Sequence, residues 1–99
     1  MSVTIITVST KPAGVPWWSS LSPENLAKRN AELEWNATQP GYISVTLTNP
    51  SENVLHMTAT FDTIENYRAW QAIRLATPLS DERNAYHVAN GIVITYIYP

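Results

Sequence analysis

Two alternating runs, residues 41–48 and 54–61, form the centre of the chain. Apolar residues in each run alternate with Thr, Ser, Tyr or His, which places the two sets on opposite faces of a strand. Residues 49–53 predict a turn between them, because Pro50 cannot donate to a β-ladder and should lie between strands. The pattern predicts a hairpin whose apolar face carries Ile43, Val45 and Leu47 against Leu55, Met57, Ala59 and Phe61.

The other face of this hairpin is mixed, with Thr and Ser beside Tyr42, Val54 and His56. It is too apolar for plain surface and too polar for an ordinary core. The pattern is compatible with a partner-facing surface or with the wall of a cavity. Residues 3–9 and 92–98 predict two further strands, and both carry apolar residues on both faces, which is typical of strands covered on both sides.

Two helices are predicted by their start signals. Ser22 is a natural N-cap with Pro23 at the first helical position, and this helix should end near residues 36–38, before Pro40-Gly41. Asp62 and Glu65 have the spacing of a capping box and predict a second helix to about residue 76. Residues 78–90 are polar and predict a loop with at most one short helical turn. Lys28 and Glu32 are interpreted as a solvated pair one helical turn apart.

The element order β-α-β-β-α-β predicts a ferredoxin-like α+β fold. Four antiparallel strands would lie in the spatial order 4-1-3-2, with two helices on one face. The opposite face would still present Val, Ile, Tyr and His side chains to solvent. We therefore expect a second copy of the chain to cover it, sheet against sheet.

Composition narrows the class of protein. A chain of 99 residues predicts one domain, residues 1–99, with a modest core. Charged residues are 14% of the chain and the net charge is −2, so we expect no nucleic-acid partner. There is no cysteine, and no apolar run has the length of a signal peptide core or a membrane span. We expect a cytoplasmic protein with no membrane partner.

The adjacent pair Trp17-Trp18 follows Pro12, Gly14 and Pro16, in a predicted loop. These indoles either plug the space between sheet and helices or form an aromatic wall over a ligand pocket. Tyr67 and Trp70, at helical spacing, are either core residues or further pocket residues. Arg74 is either solvated or a contact for an anionic ligand.

His56 and His87 are the chain's only groups whose ordinary pKa lies near neutrality. They stand 31 residues apart, one in a predicted strand and one in a predicted loop, so no metal-ligand spacing is visible. His56 is either a structural residue in a dimer seam or a base in a cleft. His56 and His87 are the candidate catalytic residues, with Trp17, Trp18, Tyr67, Trp70 and Arg74 as candidate ligand contacts.

Three segments carry a family resemblance: Pro40-Gly41-Tyr42-Ile43, Ala59-Thr60-Phe61-Asp62 and Ile64-Glu65-Asn66-Tyr67-Arg68-Ala69-Trp70. In this order they resemble the dimeric α+β barrel superfamily, and within it the antibiotic-biosynthesis-monooxygenase-like group. The resemblance implies a homodimer whose two sheets form a barrel, with a cleft between sheet and helices in each subunit. Some members oxidise polyaromatic substrates with dioxygen and no cofactor, and others degrade haem.

The chain differs from these enzymes at the positions that carry their chemistry. Cofactor-free members end the third strand with Trp and have Asn four positions earlier, where this chain has Phe61 and Met57. Haem-degrading members have Asn early in the first strand, where this chain has Thr4 and Thr7. They also have His on the second helix, and the second predicted helix of this chain contains no His. The sequence therefore favours a small homodimeric module, without a cofactor, that binds an apolar or aromatic small molecule in the cleft. A cofactor-independent monooxygenase-like enzyme acting on an aromatic small molecule is the alternative.

Overall fold

The chain forms a four-stranded antiparallel sheet with three helices on one face. A computed structural model describes every residue, Met1–Pro99. The strands are β1 (Val3–Thr10), β2 (Tyr42–Ser51), β3 (Val54–Phe61) and β4 (Val93–Ile97). The helices are α1 (Pro23–Asn36), α2 (Ile64–Leu75) and α3 (Pro78–Ala89), with a single 3-10 turn at Trp18–Ser20. The spatial order β2-β3-β1-β4 confirms the predicted ferredoxin-like arrangement.

The pairing of β1 decides which residues face the helices. Thr7 lies opposite Met57 of β3 and Tyr96 of β4, so these three side chains share the helix-side face. Ile5, two residues before Thr7 on the same face, is fully buried. Val8 lies opposite His56 on the face that the helices leave open.

Phe61 sits at the centre of the aromatic core, at the end of β3, and is fully buried. Its ring centroid lies 5.0 Å from that of Trp70, 6.1 Å from that of Tyr67 and 6.2 Å from that of Tyr42. Trp70 donates its indole N–H to the side-chain oxygen of Asn36 at 2.9 Å, which ties α2 to the end of α1. The helix-side core therefore lies towards the end of the sheet where β3 finishes at Phe61.

Two irregularities correct the predicted hairpin. Tyr42 pairs with Phe61 and Ser44 with Thr60, so Ile43 is an extra residue in β2. This bulge turns Tyr42 onto the core face and leaves Ile43 52% exposed, the reverse of the simple alternation. A second irregularity between Thr48 and Ser51 accommodates Pro50, which lies within β2 and not in a separate turn as predicted.

The start of α1 is as predicted, and that of α2 is displaced by one residue. Ser22 caps α1, its hydroxyl accepting from the backbone N–H of Asn25 at 3.1 Å. Thr63 caps α2 by accepting from the backbone N–H of Asn66, so the prediction of Asp62 as the cap was wrong. Asp62 instead accepts from the Asn66 side chain at 2.8 Å.

The segment predicted as a polar loop is the twelve-residue helix α3. Thr77 caps it by accepting from the backbone N–H of Ser80, and Pro78 occupies its first position. The polar residues Ser80 and His87 are buried on its inner side. The apolar periodicity that identifies a helix is weak here because this helix turns polar side chains inward.

None of the three helices is both long and apolar enough to cross a membrane.

Candidate functional site

A cavity of about 400 Å³ lies between the sheet and the three helices. Ligand pockets commonly have volumes of about 300–1,000 Å³. Its apolar wall comes mainly from helix-side positions of the sheet, namely Leu47, Leu55, Met57, Ile94 and Tyr96. Leu33 of α1 and Leu75 of α2 complete this wall. One end of the cavity thus suits an apolar guest.

Trp17 and Trp18 line the cavity and leave it open. Trp18 is 3% exposed, and its carbonyl accepts from the Asn25 side chain at 3.0 Å. Trp17 is half-buried, with the ammonium of Lys11 5.4 Å from its ring centroid. The two predicted alternatives were a plug and an aromatic wall; both indoles line the cavity, and a ligand-binding wall stays a prediction.

A charged cluster forms the polar end of the cavity. Arg83 of α3 donates to both carboxylate oxygens of Glu32 on α1, each at 3.1 Å. Nε of Arg74 lies 3.5 Å from one of the same oxygens, and Arg29 also lines the cavity. The Glu32 and Arg74 side chains are only 9% and 12% exposed, so the ion pair is largely shielded from water. Lys28 pairs instead with Glu82, so the predicted Lys28–Glu32 pair was wrong.

Unpartnered polar atoms concentrate around this cavity. Five buried side-chain polar atoms have no hydrogen-bond partner. Four of them belong to residues that line the cavity: Thr7, Arg29, Arg74 and His87. Buried polar groups are normally hydrogen-bonded, and leaving one unpaired costs about 1–3 kcal/mol. Four of the five thus gather around one cavity, and each is covered by the surrounding protein.

His87 lines the cavity, and His56 does not. His87 is 9% exposed on the inner side of α3, and its Nδ1 is one of the unpartnered atoms. Burial first, and then the neighbouring Arg83 charge, lower the pKa of His87 below its usual value. His87 is therefore a neutral imidazole at neutral pH, able to accept a proton. His56 lies half-buried on the open face of the sheet, opposite Val8.

The lowered pKa of His87 predicts a loss of stability in acid. In the unfolded chain this imidazole takes up a proton near pH 6.5, whereas in the folded protein it does so only at lower pH. The free energy of unfolding therefore falls as the pH drops through 6.5. Urea unfolding between pH 7.5 and 5 should show this fall. His87→Gln should reduce this slope relative to the wild type. An unchanged slope in His87→Gln would contradict the buried, neutral state.

Tyr67 and Trp70 lie in the aromatic core, each 1% exposed, and do not line the cavity. Burial, followed by the neighbouring Tyr98 and Tyr96, raises the pKa of Tyr67, so its hydroxyl stays protonated. Of the seven candidate residues, the fold brings together Trp17, Trp18, Arg74 and His87. It places His56, Tyr67 and Trp70 elsewhere.

The sequence pattern alone does not mark Thr7, Arg29, Glu32 and Arg83 as cavity residues. One signal was present: Arg29 interrupts the stripe that Leu26 and Leu33 define on α1. A cation at such a position faces the interior and needs a partner there. Glu32 gave no comparable signal, because its contact with Arg83 joins residues 51 positions apart.

Comparison with solved structures places this fold among known proteins. SnoaB, a cofactor-independent oxygenase from Streptomyces nogalater, has a TM-score of 0.62 at 21% identity, covering 99% of this chain and 90% of that one. A protein of Deinococcus radiodurans, provisionally assigned as an antibiotic biosynthesis monooxygenase, has a TM-score of 0.55 at 13% identity. The match covers 100% of this chain and 90% of that one. MhuD, a haem degrader of Mycobacterium tuberculosis, has a TM-score of 0.50 at 19% identity. The match covers 98% of this chain and 94% of that one.

These similarities confirm the resemblance at the level of the fold: the chain has the ferredoxin-like fold of antibiotic-biosynthesis-monooxygenase-like proteins. At such identities, the likeness concerns the fold and not the chemistry. No protein-family model matches the chain, and a comparison with curated proteins finds no match.

Proposed function

We propose that this protein is a small homodimeric module that binds an apolar, aromatic small molecule in the cleft between sheet and helices. The observation that carries the proposal is a cavity of about 400 Å³ between sheet and helices, with an apolar wall on one side and arginines at its other end. A ligand held there would cover the apolar wall, namely Leu47, Leu55, Met57, Ile94 and Tyr96. Trp17, half-buried beside the cavity, offers a ring against which an aromatic ligand can stack.

Neutral aromatic alcohols test this binding without favouring any charge. We expect 2-naphthalenemethanol or 9-anthracenemethanol to quench tryptophan fluorescence and to raise the melting temperature, since a ligand of the folded state stabilises it by mass action. Leu75→Trp should block binding by filling the cavity. Leu26→Trp is the matched control, because Leu26 is similarly exposed on a helix (41% against 46%) and does not line the cavity.

Two results would contradict the binding proposal. One is the absence of binding by the wild-type protein to either alcohol, which would indicate that the cavity holds only water. The other is equal binding by Leu75→Trp and wild type, which would place the probe on another surface. Binding that is lost only in Leu75→Trp supports the cleft.

The homodimer is proposed from the open face of the sheet. Ile6 and Val8 lie at its centre, on β1, and are only half-buried in the single chain. Val93 and Ile97 of β4 share this face and are 61% and 54% exposed. An apolar face of this kind is typical of a protein–protein contact, and a second copy covers it symmetrically.

Sedimentation tests the homodimer. At micromolar concentration we expect twice the chain mass of 11.1 kDa. Ile6→Arg places a charge at the centre of the face and should give monomers. Ile73→Arg is the control, because Ile73 lies on α2 and is already 52% exposed. A monomeric wild type, or dissociation by Ile73→Arg alone, would refute the contact.

An enzymatic role is the second candidate, favoured by the neutral imidazole of His87 at the cavity. As a proton acceptor, His87 would help convert an anthrone and dioxygen into the anthraquinone and water: the ring CH₂ loses two hydrogens and gains one oxygen atom. Oxygen uptake in the presence of anthrone tests this reaction. We expect uptake by the wild type and a large loss in His87→Gln, and no loss in His56→Gln. No uptake above buffer would overturn the enzymatic candidate.

A further inference from the structure

We infer that the ligand of the cleft carries one carboxylate, seated at the polar end of the cavity between Arg29 and Arg74. This inference rests on the proposed function, since it specifies the ligand that the cleft binds. It follows from a shortage of anionic partners at the polar end.

The charges at this end do not balance. Three guanidinium groups, those of Arg29, Arg74 and Arg83, line the cavity, with Glu32 as the one largely buried carboxylate. Arg83 donates a hydrogen bond to each carboxylate oxygen of Glu32, both at 3.1 Å. Asp81 also lines the cavity but is exposed in the first turn of α3, where the helix dipole favours an acid. Two cations therefore have no carboxylate of their own.

The contacts of Arg74 are all long. Its Nε lies 3.5 Å from Glu32, and its Nη1 lies 3.5 Å from the side-chain oxygen of Gln71. Both distances are at the limit for a hydrogen bond, whereas a charge-assisted N–H···O bond is about 2.7–2.9 Å long. Burial lowers the pKa of Arg74, against the opposing effect of Glu32, so the site disfavours an uncompensated cation.

Arg29 is similarly short of partners. No carboxylate lies within the 4.0 Å ion-pair distance of Arg29, and its Nη2 reaches only the side chain of Asn30, at 3.0 Å. Its Nε is buried without a partner. An arginine can only donate hydrogen bonds, so the partner that Arg29 and Arg74 need is an acceptor. A carboxylate fits best, because its two oxygens match the planar fork of a guanidinium.

The apolar wall sets an upper limit on the ligand's charge. Glu32 offsets one of the three arginines, and a single carboxylate with two oxygens can give both Arg29 and Arg74 an acceptor. A second carboxylate would have to enter the apolar part of the cavity, where an unpaired charge is strongly disfavoured. The geometry therefore points to an aromatic monocarboxylate, with its ring against the apolar wall and its acid group at the arginines.

Three naphthalene probes test this inference by calorimetry at pH 7.5: 2-naphthoate, the neutral 2-naphthalenemethanol and naphthalene-2,6-dicarboxylate. We expect 2-naphthoate to bind about tenfold or more tightly than the alcohol, the gain of a hydrogen bond to a charged group. The dicarboxylate should bind more weakly than 2-naphthoate. Arg74→Gln should lower the ratio of the naphthoate affinity to the alcohol affinity several-fold.

Arg68→Gln is the matched control, because Arg68 lies exposed on the same helix and does not line the cavity; it should keep the preference. Arg29→Gln provides a second test should Arg74→Gln fail to fold, and it should also reduce the preference. Equal affinity of wild type for 2-naphthoate and the alcohol would overturn the carboxylate subsite while the proposed function stands. A preference for 2-naphthoate over the alcohol that survives both arginine substitutions would also overturn the carboxylate subsite. If no probe binds, both proposals fall.

Discussion

Replacing Phe61 with alanine should lower the free energy of unfolding by about 3–5 kcal/mol, the usual cost of removing a buried aromatic side chain. Phe61 is fully buried, and its ring contacts three other aromatic rings that tie β2, β3 and α2 together. The space left behind cannot close easily, because Trp70 is held in place by its hydrogen bond to Asn36. Urea unfolding followed by tryptophan fluorescence, at fixed protein concentration, measures the loss.

Ile43→Ala is the control that makes this experiment a test of the fold. Simple alternation of apolar and polar residues puts Ile43 on the same buried face as Phe61, whereas the bulge in β2 leaves it 52% exposed. A change of no more than about 0.5 kcal/mol is expected at such a surface position. Comparable losses in Ile43→Ala and Phe61→Ala would show that β2 has no bulge at this point.

Replacing Glu32 with glutamine should destabilise the protein by about 3–5 kcal/mol, the range for breaking a buried ion pair from one side. The substitution keeps the shape of the side chain and leaves Arg74 and Arg83 without their shared carboxylate. The cost arises from the cations that remain buried and unpaired. Chemical unfolding at low salt measures it.

Glu82→Gln gives the matched comparison. Its pair with Lys28 also joins α1 to α3, at 3.2 Å, but both side chains are 49% exposed. Exposed ion pairs contribute at most about 1 kcal/mol, because water screens the charges. If the two glutamine variants lost equal stability, the polar end of the cavity would have to be as wet as the surface.

Much of the fold follows from the sequence because local and tertiary requirements agree there. β3 has the predicted bounds, Val54–Phe61, since its alternation is regular and its apolar face is buried from Met57 to Phe61. Ser22 and Pro23 start α1 as predicted, because a cap and a first-turn proline act within a few residues.

The helix α3 was missed for a physical reason. A helix is recognised by an apolar stripe, but the stripe of α3 that faces the cavity carries Ser80, Arg83 and His87. Thr77-Pro78 follows the predicted end of the second helix near residue 76, but a capping threonine followed by proline also starts a helix. The polar stripe that hid this helix is part of the candidate site.

The candidate site was predicted in part for a related reason. Trp17 and Trp18 could be predicted as site residues because two adjacent indoles in a loop must be covered. The cluster of Glu32 and Arg83 depends on α1 and α3 meeting across the cavity, a contact that nothing local in the sequence specifies. Long-range ion pairs of this kind emerge only from the packed fold.

Ligand binding in the cleft can be observed at the indole N–H signals of the four tryptophans. In a ¹H–¹⁵N NMR titration with 2-naphthalenemethanol, we expect the largest shifts at Trp17 and Trp18, which line the cavity. The Trp35 and Trp70 signals should move much less, since neither residue lines it. Shifts confined to Trp35 or Trp70, or no shift in any of the four signals, would contradict a ligand site in the cleft.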